Sequence, residues 1–478
     1  MYEGEKMTKD VNSFEADIFT YRREINRYKD IVEKQEHELL DKQRAIDELT
    51  IKNQSVENEL RAILDSKGWR AIEKARKIIP KRAGKKVSVP ENKDDEAPKP
   101  EIRLSYHSCY EKNIDFAKLG RKPEVKAIAF YLPQFHTFPE NDKWWGKGFT
   151  EWTNTKKAEP RLPGHYQPRE PHDDIGYYTL DNVETIKKQV TLAKEHGIYG
   201  FCFYYYWFSG KRLMEKPLDL FLEDKSINFP FCLCWANENW TRRWDGKNKD
   251  VLIEQKYKKD DPKKFILEMK KYLMDTRYIR VDGKPVILVY EPNSIPDFED
   301  VVSKWRETAR KNGIGEILVW SKNAISDREF KNADFVDAEF DFAPTGQGNF
   351  FNEAIIDLEE GRTIINYGRM VKNAREESLY HNHVPVKPFY YSCTLGWDNS
   401  PRRKKDYFLL DKYSPEKFYD WLRIIIEETE RRFPEARRFI FINAWNEWAE
   451  GTYLEPDKKY GYANINAASK AIYGLPYR

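Results

Sequence analysis

Phe439-Ile-Phe-Ile-Asn-Ala-Trp-Asn-Glu-Trp-Ala-Glu-Gly451 opens on bulky apolar residues and then turns acidic. The first half reads as a buried strand, and Glu447 and Glu450 fall just beyond its end. Charged side chains are seldom fully buried unless they are paired, so acids in this position need a reason. One reason is a reactive mouth. The other is that both glutamates pair with nearby Arg or Lys to close the structure, and the residues alone leave both readings open.

Working outward, seven further runs of the same kind precede this one. The eight cover 127–133, 200–208, 231–235, 286–290, 317–321, 335–340, 389–394 and 439–445. Amphipathic stretches lie between several of them, at 182–196 with Gly197 as a stop, 261–274, 301–312 and 415–432. Strands that alternate with helices build a parallel sheet, and eight of them predict an α/β fold closed into a (β/α)8 TIM-like barrel over 125–478. The long stretch 346–386 holds more than one loop should and predicts an insertion bearing its own helix.

In such a barrel, reactive groups collect where strands end. Here the strand ends carry His136, Trp207, Asn237, Glu238, Tyr290, Glu291, Trp397, Asn446, Glu447 and Glu450, among others. Aromatic residues make up 15% of the chain, 14 of them Trp, and most fall between Phe130 and Trp448. Many fill a large core and satisfy their polar tips there. The rest are candidate platforms for flat ring faces.

The net charge of +3 with 34% charged residues gives no bulk field for wrapping nucleic acid. Cys109, Cys202, Cys232, Cys234 and Cys393 form no CxxC pair or metal-like group, so neither disulfides nor a metal site is expected, and a reducing compartment fits. The first residues lack the apolar core of an export signal, and no run of 18 apolar residues appears, so a soluble or peripheral cytoplasmic chain is expected.

Residues 1–65 read as a long coiled-coil helix. From Val11 to Ile63 the a and d positions are apolar except at Gln35, Lys42 and Asn53, and neither Pro nor Gly interrupts them. Asn53 at an a position favours a parallel homodimer; a lone helix folding back is the alternative. Residues 66–82 form a basic amphipathic helix, with Trp69, Ile72 and Ile79 among seven basic residues. Such a helix either lies on anionic lipid or caps the coil in solvent. The stretch 83–124 reads as linker, its first part almost devoid of apolar residues.

Six ordered motifs then carry a resemblance: 127–136 (AIAFYLPQFH), Trp144-Trp145-Gly146, Gly148-Phe-Thr-Glu-Trp152, 201–207 (FCFYYYW), Trp235-Ala-Asn-Glu-Asn-Trp240 and Trp445-Asn-Glu-Trp-Ala-Glu-Gly451. They resemble the WbsX-like family, also described as glycoside hydrolase family 99-like. The resemblance runs from about Val125 to the C-terminus and excludes the coil. It implies a retaining endo-α-mannosidase-like barrel on one side, and on the other an O-antigen or capsule assembly enzyme named a glycosyltransferase.

The family 99 pattern has two Glu separated by two residues after an Asn, which Asn446-Glu447-Trp448-Ala449-Glu450 matches. By that resemblance Glu447 draws the proton from the sugar 2-hydroxyl, which attacks C1 to give a 1,2-anhydro sugar. Glu450 protonates the leaving oxygen and later activates the acceptor. Trp144, Trp145, Trp152, Trp207, Trp240 and Trp397 are the candidate stacking platforms. His136, Asn237, Glu238, Tyr290, Glu291 and Asn446 are the candidate polar partners for a glycan or lipid-linked saccharide, without a cofactor.

Two other functions stay in view. A nucleotide-sugar glycosyltransferase would need to hold a diphosphate, yet no GxGxxG after a strand, P-loop or DxD pair at a strand end is found. A non-catalytic glycan-binding scaffold would need neither glutamate.

Overall fold

The strands form where β-branched and aromatic residues run together, bounded by Gly, Pro and Asn. In a computed structural model that describes residues 109–242, 247–323, 334–345, 354–359, 361–376 and 379–478, the apolar runs become nine parallel segments. They are β1 Lys126–Tyr131, β2 Gly200–Phe208, β3 Phe231–Trp235, β4 Lys284–Val289, β5 Leu318–Lys322, β6 Ala338–Phe340, β7 Phe389–Tyr390, β8 Ser392–Thr394 and β9 Phe439–Asn443. Contacts divide the chain into units Met1–Lys99 and Pro100–Arg478. Everything described belongs to the second, so the coil, the basic helix and 83–108 lie outside the described residues.

Neighbours follow the order β7-β6-β5-β4-β3-β2-β1-β9-β8. The two ends of this order are halves of one run parted at Tyr391, whose carbonyl accepts a bond from the Phe441 amide at 2.9 Å. The sheet therefore comes round to a nearly closed parallel barrel, consistent with the TIM architecture expected.

Helix boundaries follow local chemistry. The helix Val183–Glu195 starts at Asn182, whose side chain caps the Glu184 amide, and stops before Gly197 at φ +70°, where a Cβ would sit 2.6 Å from the Tyr473 ring. Pro415–Arg432 begins with a proline behind Ser414, which accepts from the Lys417 amide. Asp261–Leu273 is as expected, and Phe298–Lys311 starts three residues earlier than its pattern indicated.

Two expectations are corrected. The insertion does carry the helix Tyr367–Glu376, but it also holds an antiparallel hairpin, Ile355–Glu359 with Arg362–Asn366, that extends onto Tyr407–Asp411. The last part of the expected linker is tied to the barrel: Phe116 is buried, Glu111 exchanges backbone bonds with Tyr460 and Tyr462, and the Glu124 amide donates to Ile472. Polar composition hid this, because one aromatic anchor and backbone bonds are enough to hold such a segment.

Inside the barrel, Phe130 packs against Tyr204, Phe340, Phe342 and Phe441. Outside it, Trp207, Trp235, Phe265 and Trp305 fill the layer between strands and helices. Each large side chain buried this way contributes about 1.5–3 kcal/mol.

Candidate active site

Beyond β9 the chain makes a tight reversal. Asn446–Glu447 pairs antiparallel with Thr452–Tyr453, and a single 3-10 turn, Trp448–Glu450, joins them. Gly451 ends the turn at φ +65°, and a Cβ there would lie 2.9 Å from the Arg169 guanidinium carbon and 3.0 Å from Asp398 Cβ. Only glycine suits this place. The reversal holds Glu447 and Glu450 at one edge of the barrel mouth.

Behind the turn lies Glu455, fully buried. Its carboxyl accepts from the indole N–H of Trp448 at 2.7 Å and of Trp445 at 3.1 Å, from the Gln189 amide at 2.7 Å and from the Tyr178 hydroxyl at 2.9 Å. Burial pushes this carboxyl up to about 7, against the pull of those four donors. The turn is thereby clamped from the inside.

Arg402 comes from a loop whose backbone is pinned to the same turn. The Asp398 amide donates to the Glu450 carbonyl at 2.7 Å, and Asn399 O accepts from the amides of Arg402 and Arg403. The Asp398 side chain is buried and takes bonds from His165 Nε2 and Gln167 Nε2, each at 2.7 Å, and from the Ser400 amide at 3.0 Å. Burial pushes the Asp398 carboxyl up, but the His165 bond and charge, with Arg169 and Ser400, hold it well below the usual range.

The Arg402 guanidinium then bridges three carboxylates. Nη2 reaches Glu151 Oε1 at 2.6 Å and Glu447 Oε2 at 2.9 Å, while Nη1 reaches Glu450 Oε1 at 2.5 Å. One guanidinium thus spans both glutamates of the turn and holds them on neighbouring nitrogens. Burial pushes the Glu447 carboxyl well above the usual carboxylate range; Arg402 pulls it back, and the charges of Glu450 and Glu151 push it up again. Glu450 is raised as well, by burial first. The cluster therefore retains a proton where isolated glutamates would not, while Arg402 favours the ionised form of a partner.

Pairing with arginine is the bland alternative raised by the sequence, and it is present here. It does not fill the space. A cavity of about 370 Å³ opens at the strand ends, lined by Glu447, Glu450, Arg402, Arg403 and Glu238 with the rings of Tyr204, Tyr206, Trp240, Tyr290, Trp397 and Phe408. The Glu450 side chain stays 22% exposed toward it. Burial pushes the hydroxyls of Tyr204, Tyr206 and Tyr290 well above their ordinary value, so they stand as neutral O–H groups.

Of the candidates named from sequence, Glu447, Glu450, Glu238, Trp240, Tyr290 and Trp397 border this cavity. The others do not. Asn446 is buried and clamps β1, accepting from the Leu132 amide at 2.7 Å and donating to its carbonyl at 3.0 Å. Asn237 makes the same kind of clamp to the backbone of Glu291. Glu291 faces Lys322 at 3.5 Å.

His136 is buried with Nδ1 on the Pro133 carbonyl, and burial lowers its pKa. Trp152 donates to Tyr178 O at 2.7 Å and Trp207 to Glu268 at 2.8 Å, both within packed layers. Trp144 packs against Trp240 from outside the cavity, and Trp145 stacks on Phe149. Strand-end position brings a residue near the mouth; which face it points from decides whether it lines it.

Several lining residues escaped the sequence reading. Tyr204 was not singled out, although the strand-end position of Tyr206 was noted; the period of two along β2 puts both on one face, where Tyr204 stacks on Phe130, and Trp207 on the other. Arg402 sits in Pro-Arg-Arg-Lys-Lys, which reads as a solvated basic run. Glu151 stood inside a quoted motif, but nothing local marked it as a partner of the last strand. Among the described residues no group of His, Cys, Asp and Glu is arranged to hold a metal.

The chain is 41% identical over 352 residues to proteins named "Uncharacterized protein WxcX" from two strains of Xanthomonas campestris pv. campestris, covering 73% of this chain and 50% of each relative. It thus spans about half the length of the curated relatives it matches. Among solved structures, a "Glycoside hydrolase-like protein" is similar at TM-score 0.48 and 15% identity, covering 77% of this chain and 97% of that one. The GH99 endo-alpha-mannosidase from Bacteroides thetaiotaomicron is similar at TM-score 0.45 and 16% identity, covering 73% and 96%. The model of the glycosyltransferase WbsX family matches residues 127–468, from β1 to the helix Ala463–Ile472, and the chain belongs to that family.

Proposed function

We propose that this protein is a carbohydrate-active enzyme that cleaves or transfers an α-mannoside-like glycosidic bond with Glu447 and Glu450 as its acid/base pair. The observation that carries the reading is the shared position of the two glutamates, three residues apart on one turn, at an open ring-lined cavity. Aromatic faces and neutral hydroxyls suit a sugar ring, and a carboxyl with a raised pKa suits a general acid at neutral pH. Glu450, the more exposed, protonates the leaving oxygen. Glu447 takes the 2-hydroxyl proton, and the 2-oxygen closes on C1 in a 1,2-anhydro intermediate that water or an acceptor reopens.

The substrate proposed is a glycan or lipid-linked saccharide met in the cytoplasm during surface polysaccharide assembly, with the coil of residues 1–65 pairing two chains and 66–82 touching the membrane. No helix among the described residues is long and apolar enough to cross a membrane. A nucleotide-sugar transferase is the second reading. Arg403 on the cavity wall favours it, since a guanidinium group can hold a phosphate where no phosphate-binding loop exists.

The test is product analysis by mass spectrometry with α-mannosides and glycolipid precursors, with and without nucleotide sugars. Glu447→Gln and Glu450→Gln are expected to lose about 10²–10⁴-fold in turnover while melting like the parent. Full turnover in either variant overturns the acid/base assignment, and a product that forms only with nucleotide sugar selects the second reading.

A further inference from the structure

A third carboxylate stands beside the pair and has no step in that scheme. Glu151 opens the helix Glu151–Lys157 and is fully buried, and its amide is fixed to Gln134 O at the end of β1. A single oxygen, Oε1, does two things. It receives Arg402 Nη2, the same nitrogen that reaches Glu447, and it accepts the backbone amide of Ala449 at 3.0 Å. Ala449 is one of the two residues between the glutamates and the middle of the turn Trp448–Glu450. The other oxygen, Oε2, is buried and meets no donor among the described residues.

We propose that Glu151 is a positioning residue for the Glu447–Glu450 pair: Oε1 pins the midpoint of the turn at Ala449 and competes with the pair for Arg402. The inference rests on the acid/base reading above. Its physical basis is a count of charges: one guanidinium touches three carboxylates, and Arg403 on the cavity wall acts on Glu450 alone from farther off, so the three are not all held ionised in a buried site. Glu151 is not among the residues that line the cavity, and its charge raises the proton affinity of both glutamates. Without it, Arg402 would serve the pair alone and the acid would give up its proton sooner.

The pattern of contacts supplies a clean variant. Because only Oε1 is engaged, Glu151→Gln can keep both accepted hydrogen bonds while removing the charge, and the NH2 it places at the buried Oε2 position costs some stability without touching either bond. The probe is the infrared C=O band of protonated carboxyls in the full chain, followed through a pH titration and assigned by its loss in Glu447→Gln or Glu450→Gln. In Glu151→Gln the midpoint of that band is expected to fall by about one unit. Where turnover is measurable, the high-pH limb of kcat/KM falls with it, whereas a merely structural role would lower the rate without moving the limb.

A midpoint that stays or rises overturns the proposal, as does a parent with no titrating band that these variants remove. Should Glu151→Gln fail to fold, Glu151→Asp withdraws the charge from Arg402 and must lower the midpoint by a smaller amount; an unmoved midpoint again overturns it. Turnover in the Glu447 and Glu450 variants is a separate result, so failure of the acid/base reading is distinguishable from failure of this one.

Discussion

Replacing Arg402 with Met should destabilise the barrel, and more so at pH 8 than at pH 5. The side chain is 11% exposed and carries the only cation in direct contact with Glu447 and Glu450 among the described ion pairs. Removing one partner of a buried ion pair costs ~3–5 kcal/mol, and three carboxylates left behind put this case at the upper end, about 5 kcal/mol at pH 8. With ~2.1 cal/mol/K of unfolding entropy per residue, a unit spanning Pro100–Arg478 has about 0.8 kcal/mol/K, so its Tm falls by about 6 °C.

The sign with pH follows from the carboxyls. Burial already raises Glu447 and Glu450 above their unfolded value, and losing Arg402 raises them further. A variant that keeps these protons while the unfolded chain releases them loses stability as pH climbs past ~4.3, the unfolded glutamate value. As pH falls, protonation of the folded glutamates relieves the charges left behind by the lost guanidinium, and the Tm difference shrinks. Differential scanning calorimetry of parent and variant at the two pH values measures this. An equal loss at both, or none at either, would refute the charge cluster as described.

Other consequences are as specific. Glu455, held near 7, retains a proton in the fold that the unfolded chain gives up between ~4.3 and 7, so stability falls with rising pH across that window; Glu455→Gln removes this share of the slope in pH-dependent melting. Gly451→Ala should cost about 2 kcal/mol or more, from a left-handed backbone and a Cβ driven against Arg169, read as a lower Tm with loss of turnover. Trp397→Ala should raise KM about ten-fold, equivalent to ~1.4 kcal/mol, by removing a cavity wall. Trp207→Phe should leave KM unchanged and cost about 1 kcal/mol of stability through the lost bond to Glu268.

The sequence by itself determined the layout. Each apolar run is long and uniform enough to be a strand whatever surrounds it, and the signals at Asn182, Gly197 and Ser414-Pro415 act within a few residues of themselves. Glu447 and Glu450 were legible for the same reason, since an abrupt change from apolar to acidic is a local event. The hairpin at Ile355–Glu359 escaped because its strands are short and lean on Tyr407–Asp411, about fifty residues away.

Only the tertiary structure decided the chemistry of the mouth. Arg402 and Glu151 are separated by 251 residues and meet at 2.6 Å, and no pattern in a basic run or at a helix start announces the other. The same holds for Asn446 and Asn237, whose side chains look free on paper and are spent on backbone clamps. Local order follows from neighbours along the chain. Charge, proton affinity and access follow from neighbours in space, and those exist only once the barrel has closed.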